Sequence, residues 1–184
     1  MEKITAKYGL FLAVFTTLMV AGACSEEVVF DFDEVLADDL RQIDEFLDRN
    51  NINTRVHTSE ARYRIVDQGV GDPGVIGDTI SYLYKVYLLD SSLLETNRIE
   101  YADRAAELNR YYADTIRIQL QDYRLVTPAF HALATLLVPE KGTVQVFLPS
   151  YLGYTFYGRL NSVVPVPPNI PLMIELESLE LSRQ

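Results

Sequence analysis

Few side chains in this sequence have the types and spacing that nucleophilic or metal-dependent catalysis requires. No serine lies in a Gly-x-Ser-x-Gly elbow, and there is no glycine-rich loop that could hold a phosphate. The two histidines, His57 and His131, are far apart, and neither has a cysteine or an acid at the spacing of metal ligands. We therefore expect no hydrolase, no nucleotide-dependent enzyme, no metal and no other cofactor.

The only cysteine, Cys24, has the setting of a lipid attachment site. A short positive segment precedes an apolar run at residues 10–20, which is too short to span a membrane comfortably, and small residues lead up to the cysteine. This layout predicts an export signal over residues 1–23. Lipoprotein signals usually carry Leu or Val where this chain has Ala21, so an ordinary cleavage site before Cys24 is the alternative. We favour the lipoprotein.

The formal net charge of −10 restricts the partners of this chain. A charge this negative repels nucleic-acid phosphates, so no nucleic acid is expected as a partner, and it also opposes direct adsorption to anionic lipid. An acyl chain on Cys24 would instead anchor the protein to the membrane. The exported chain has no second cysteine and can form no internal disulfide. We predict an exported outer-membrane lipoprotein that faces the periplasm or the cell surface.

The remaining sequence predicts an acidic tether and a helix at residues 24–60, followed by one domain at residues 61–184. Apolar residues in 31–50 repeat at helical spacing, and this amphipathic helix either packs beside the domain or stands between the domain and the anchor. From residue 61 the pattern is that of strands, which we place at residues 63–66, 79–89, 116–120, 143–148 and from Leu172 onward. Residues 79–89 are apolar on both faces, which predicts an inner strand.

Two further helices are expected within the domain. Residues 129–138 are apolar nearly all round, which predicts a buried helix. Residues 99–112 return to helical spacing inside an insertion at residues 98–114. The predicted fold class is therefore α+β: an antiparallel sheet wrapped on one buried helix, with an N-terminal amphipathic helix and an inserted helix.

Several segments, taken in their order along the chain, resemble FKBP-type peptidyl-prolyl isomerases. Gly77-Asp78-Thr79 and the strand with Tyr84 resemble the opening strand of that family. Residues 148–154 resemble its Ile-Pro-Pro-Glu-Leu-Ala-Tyr-Gly segment, and Val166-Pro167-Pro168 resembles its closing Ile-Pro-Pro. The resemblance covers roughly residues 62–181. It is closest in character to the Bacteroidetes lipoprotein branch, which includes gliding-motility-associated isomerases.

The resemblance implies a proline-binding pocket and the residues that would form it. Tyr84 aligns with a pocket tyrosine, Tyr154 with the hydroxyl that binds the substrate carbonyl, and Glu95 with an aspartate; these three are the candidate catalytic residues. The candidate substrate-binding residues are Leu94, Ile116, Leu125, Val126, Phe130, Val166 and Ile174. Three of them, Leu94, Ile116 and Ile174, replace phenylalanines. The chain has no tryptophan, so the pocket floor falls on Ala129 or, one residue on, on Phe130.

These residues leave two functions open. The first is a weak peptidyl-prolyl isomerase that assists the folding of exported proteins. The second is a non-catalytic FKBP-like binding or assembly lipoprotein with a degenerate pocket, in which Tyr84 and Tyr154 are ordinary buried tyrosines. We expect Glu95 to be a surface carboxylate. The partners would be proline-containing polypeptides or another envelope protein, and the insertion at residues 98–114 would either cover the pocket or bind a partner.

Overall fold

The computed structural model describes residues 30–155 and 158–184. The predicted export signal and Cys24 lie outside the described residues. Phe32–Gln184 forms one compact unit. Within the described ranges, no helix combines the length and the apolar character that crossing a membrane requires. The predicted boundary at residue 61 falls between two strands that pair with each other.

Within the described residues, eight strands form one sheet. They are β1 (Arg55–Val56), β2 (Arg62–Asp67), β3 (Thr79–Leu88), β4 (Leu93–Thr96), β5 (Arg110–Tyr111), β6 (Ile116–Gln119), β7 (Thr143–Leu148) and β8 (Leu172–Ser182). They run in the order β1-β2-β7-β8-β3-β4-β5, and β6 pairs with β3. Every pair is antiparallel except β4 with β5. The two longest strands, β3 and β8, therefore lie side by side.

Strand β3 is the inner strand that the sequence predicts. It pairs with β8 on one side and with β4 and β6 on the other. Ile80, Tyr82, Tyr84 and Val86 are each no more than 2 % exposed, because alternation along the strand turns all four toward the main core. Of the side chains between them, Ser81 is buried, and Leu83 and Lys85 are partly buried.

The buried helix α2 (Phe130–Leu137) packs on β7 and β8. It is one residue shorter at each end than the predicted range 129–138. Phe130, Leu133 and Ala134 are no more than 1 % exposed. Complete burial of a large apolar side chain contributes about 1.5–3 kcal/mol, so this helix is a main source of the domain's stability.

The N-terminal helix, α1 (Phe32–Arg49), covers part of the other face of the sheet. Its Ile43 and Leu47 are buried in a second apolar cluster with Phe147 of β7. The neighbouring Val146 and Leu148 belong to the main core, so alternation along β7 places Phe147 on the opposite face. Of the two arrangements that the sequence allows, the helix therefore packs beside the domain.

The insertion differs from the helix predicted at residues 99–112. A 3-10 helix occupies Ile99–Glu107, buries none of its residues and ends where Leu108 becomes extended. The chain then forms β5, which pairs parallel with β4. Helices in proteins are stabilised mainly by packing of an apolar face. This segment has helical spacing, but it buries no apolar face, which explains the difference.

Candidate functional site

Tyr154 and Glu95 are far apart in sequence and meet in the structure. The Tyr154 hydroxyl donates a hydrogen bond of 3.0 Å to Glu95 Oε2. Glu95 is 0 % exposed, so the expectation of a surface carboxylate was wrong. The reason is its position on β4, between β3 and β5, where it is the register partner of Val86 and Arg110. We call these two residues the Tyr154–Glu95 pair.

Two basic side chains surround the buried carboxylate. Arg159 Nη1 lies 3.3 Å from Glu95 Oε2 and 3.3 Å from the Tyr154 hydroxyl, while His131 Nε2 lies 3.6 Å from Glu95 Oε1. Burial by itself raises the pKa of Glu95, but His131, the Tyr154 hydrogen bond and the charge of Arg110 together hold this pKa below its ordinary value. Glu95 is therefore ionised at neutral pH.

Aromatic rings enclose this network. The His131 ring packs edge-on against Tyr84, with 4.4 Å between centroids, and its Nδ1 lies 3.2 Å from the Tyr82 hydroxyl. The Phe130 ring packs edge-on against Tyr154, with 5.7 Å between centroids. Burial raises the pKa of all three tyrosine hydroxyls, which remain neutral donors at physiological pH. The Tyr84 hydroxyl is buried and has no hydrogen-bond partner among the described residues.

The loop that begins at Gly158 brings Arg159 to the site. Gly158 has a φ of +60°, and a Cβ atom there would lie 2.3 Å from Val166 O, so the position requires glycine. Two backbone hydrogen bonds join Arg159 to Val166 and close the loop. The side-chain amide of Asn109 donates to Val164 O at 2.9 Å and accepts from Val164 N–H at 2.7 Å. The end of the insertion thus holds the loop that carries Arg159.

A buried asparagine fixes the strand that carries Glu95. Asn97 Oδ1 accepts from Tyr84 N–H at 2.7 Å, and its Nδ2 donates to the carbonyls of Tyr82 and Asp114 at 3.0 Å each. These bonds join β3 to the end of β4 and to the end of the insertion. The Asn97 side chain therefore links the backbone segments that carry Tyr84 and Glu95.

The site offers hydrogen-bond donors, a carboxylate and apolar rings. Within residues 30–155 and 158–184, no group of three or more histidines, cysteines and acids could hold a metal ion. The chemistry that this arrangement supports is non-covalent: a polar group of a ligand would bind the Tyr154 hydroxyl while an apolar part packs on the rings.

Comparison with solved structures finds FKBP-type isomerases. FkpA from Escherichia coli has a TM-score of 0.56 and 17 % sequence identity, over 96 % of this chain and 72 % of that chain. A peptidyl-prolyl cis-trans isomerase from Pseudomonas syringae pv. tomato has a TM-score of 0.55 and 12 % identity, over 85 % and 99 % of the two chains. AtFKBP13 has a TM-score of 0.52 and 15 % sequence identity, over 70 % of this chain and 98 % of that chain. The fold is FKBP-like.

The predicted α+β class, with an FKBP-like sheet wrapped on one buried helix, is thereby confirmed. At these identities the likeness concerns the fold, and the activity has to be argued from the site. No protein-family model and no curated protein matches the chain.

In this FKBP-like chain the residues predicted to bind substrate fall into two groups. Four belong to the main core cluster and are no more than 1 % exposed: Leu94, Phe130, Val166 and Ile174. Ile116 packs against that cluster. Leu125 is 82 % exposed and Val126 is partly buried, and both line a surface groove of about 560 Å³ together with Ile76. The substrate-binding roles of all seven residues stay predictions.

Three members of the site were not singled out as site residues from the sequence: Tyr82, His131 and Arg159. Tyr82 shares a face of β3 with Tyr84, so the alternation of the strand could have placed it there. His131 directly follows Phe130 on α2. Arg159 carries no such signal, because its contact depends on the path of a loop.

Proposed function

We propose that this protein is a weak peptidyl-prolyl cis-trans isomerase that assists the folding of proline-containing polypeptides. The observation that supports this most is the Tyr154–Glu95 pair, a tyrosine hydroxyl and a buried carboxylate fixed beside the rings of Phe130 and Tyr84. It occurs on an FKBP-like fold, and solved FKBP-type isomerases share that fold.

The proposed catalysis needs no covalent step. Rotation about the peptide bond crosses a barrier of about 18–20 kcal/mol that amide resonance sets. Groups that bind the twisted amide better than the planar one lower this barrier. Here the Tyr154 hydroxyl would donate to the substrate carbonyl, and the rings of Phe130 and Tyr84 would contact the proline.

The same contacts explain why the activity would be weak. The Tyr154 hydroxyl already donates to Glu95 and accepts from Arg159. To bind a substrate carbonyl, the Tyr154 hydroxyl must give up its hydrogen bond to the buried Glu95 carboxylate. A buried polar group that loses a hydrogen-bond partner is destabilised by about 1–3 kcal/mol. Part of the binding energy of the substrate is therefore used to break the Tyr154–Glu95 pair.

Proline-limited refolding of a model protein tests this proposal. We expect the wild-type chain to accelerate refolding and Tyr154→Phe to reduce kcat/KM at least about tenfold, which corresponds to about 1.4 kcal/mol. The variant keeps the ring contact with Phe130 and loses only the hydroxyl. Tyr112→Phe, at a tyrosine that is 45 % exposed, serves as the control. Absence of acceleration by the wild-type chain at high concentration would exclude the isomerase.

The second candidate function is non-catalytic binding, as a partner or assembly component of the cell envelope. It is favoured by the burial of Tyr84, Leu94, Phe130 and Ile174, which are each no more than 1 % exposed. These side chains pack on one another and leave little of their surface to a ligand. In the refolding assay this candidate predicts no acceleration by either the wild type or Tyr154→Phe.

We also propose that the protein is exported and anchored in the outer membrane by a lipid on Cys24, facing the periplasm or the surface. The sequence at residues 1–24 supports this, and these residues lie outside the described ranges. Cells given an alkyne-labelled fatty acid are expected to label the wild-type chain and not Cys24→Ser. Equal labelling of both chains would contradict the anchor, because the protein has no other cysteine.

A further inference from the structure

The turn that leads to Tyr154 is held by the N-terminal helix. This turn is a 3-10 element, Ser150–Leu152, that follows β7. Asp39 of α1 accepts two hydrogen bonds from Ser150 through the same oxygen, from the backbone N–H at 2.7 Å and from the hydroxyl at 2.6 Å. Asp39 is 1 % exposed and Ser150 is 2 % exposed. A buried side chain of α1 thus fixes the start of the turn.

Other elements fix the rest of the turn. The Tyr151 hydroxyl donates to Ser59 O at 2.7 Å, and the Tyr151 ring packs edge-on against Phe32 of α1. Leu152 O accepts from Ala129 N–H at 2.9 Å, just before α2. Tyr154 follows two residues later. Tyr154 therefore follows a turn in which all three residues make tertiary contacts. Two of the three, Ser150 and Tyr151, contact α1.

The contact between Asp39 and Ser150 is not explained by stability. Its Oδ1 is buried without a hydrogen-bond partner, and no salt bridge to Asp39 is present in the described part of the chain. Burial raises the pKa of Asp39, although both bonds from Ser150 lower it. A buried carboxylate without a cation opposes folding.

We infer that Asp39 is a positioning residue, which holds Ser150 so that the turn places the Tyr154 hydroxyl against Glu95. A role of Asp39 in catalysis rests on the proposed function, whereas the positioning of Tyr154 by Asp39 does not. Through this contact, α1 is part of the site and not merely a cover for the sheet.

The test observes Tyr154 directly in the full chain, purified in a mild detergent and labelled with [ζ-13C]tyrosine. The resonance that Tyr154→Phe removes belongs to Tyr154, and its shift reports the hydrogen bonding of the hydroxyl. We expect Asp39→Ala and Ser150→Ala to move this resonance, and the double variant to move it no further than Asp39→Ala alone. Asp39→Asn, which retains an acceptor for Ser150, should leave it near the wild-type position.

Two controls on the same helix separate positioning from general loosening. Leu47→Ala removes a buried side chain that packs on Phe147, and Asp38→Ala changes an exposed acid that bonds Arg41 and Gln42. Both should leave the Tyr154 resonance in place. The inference is overturned if the resonance does not move in folded Asp39→Ala, or if Leu47→Ala moves it as far. If the chain is also an isomerase, kcat should fall in Asp39→Ala while KM changes little.

Discussion

Replacing Arg159 with methionine is expected to lower the free energy of unfolding by about 2–3 kcal/mol at neutral pH. Arg159 pairs with Glu95, which is fully buried, and removal of one partner leaves a buried charge with less compensation. Methionine keeps an unbranched apolar stem and removes the guanidinium, whose Cζ lies 5.1 Å from the centre of the Tyr154 ring. Urea denaturation at pH 7, with the wild-type chain as reference, measures the loss.

Two observations would identify Glu95 as the cause of this loss. The Arg159→Met/Glu95→Gln double variant should recover most of the stability, because no charge remains to be compensated. The pKa of Glu95 is lowered in the folded chain, so its stabilising contribution is present above its ordinary value of 4.5 and is lost as the pH falls below it. The difference between the wild type and Arg159→Met should therefore shrink below about pH 4.5. A difference that is independent of pH would contradict this explanation.

Phe130→Ala is expected to lower the free energy of unfolding by about 3–5 kcal/mol. The side chain is 1 % exposed, belongs to the main core cluster and packs against the Tyr154 ring, so its removal leaves a cavity. Thermal or urea unfolding measures the effect. Leu125→Ala is the matched control: Leu125 was assigned to the same pocket, but it is 82 % exposed, and its loss should change stability by less than about 0.5 kcal/mol.

This comparison also bears on the two candidate functions. If Phe130 also contacts the proline of a substrate, a proline-containing peptide should stabilise the wild type but not the variant. A large loss without peptide stabilisation favours the non-catalytic binding protein, because the side chain then serves the core alone.

The sheet and the buried helix could be predicted from the sequence because each follows a repeating pattern. Alternating apolar residues placed Tyr82 and Tyr84 on the core face of β3, and the apolar run after Ala129 predicted α2. The same reasoning gave a wrong prediction for the insertion at residues 98–114. Its helical spacing is real, but residues 99–107 bury no apolar face, and residues 110–111 add a strand beside β4.

The site could be predicted only in part, since its members are joined by tertiary contacts. The resemblance to isomerases suggested both Tyr154 and Glu95, yet a carboxylate on a short strand was expected at the surface. What makes its burial tolerable is the presence of Arg159 and His131, which come from a loop and from a helix. Asp39 illustrates the same limit: the helical pattern of α1 marks its apolar face, and nothing in that pattern indicates that an acid on it meets Ser150.

The last strand of the chain is also a central strand of its sheet. β8 pairs with β7 on one side and with the whole of β3 on the other, from Leu172 opposite Leu88 to Ser182 opposite Thr79. Pairing between segments so far apart in sequence is slow, and β8 is synthesised after every strand with which it pairs. The nascent chain therefore cannot complete this sheet until β8 has been synthesised. A chain that is truncated before β8 would lack the middle of the sheet, with β7 and β3 left as two separate edges.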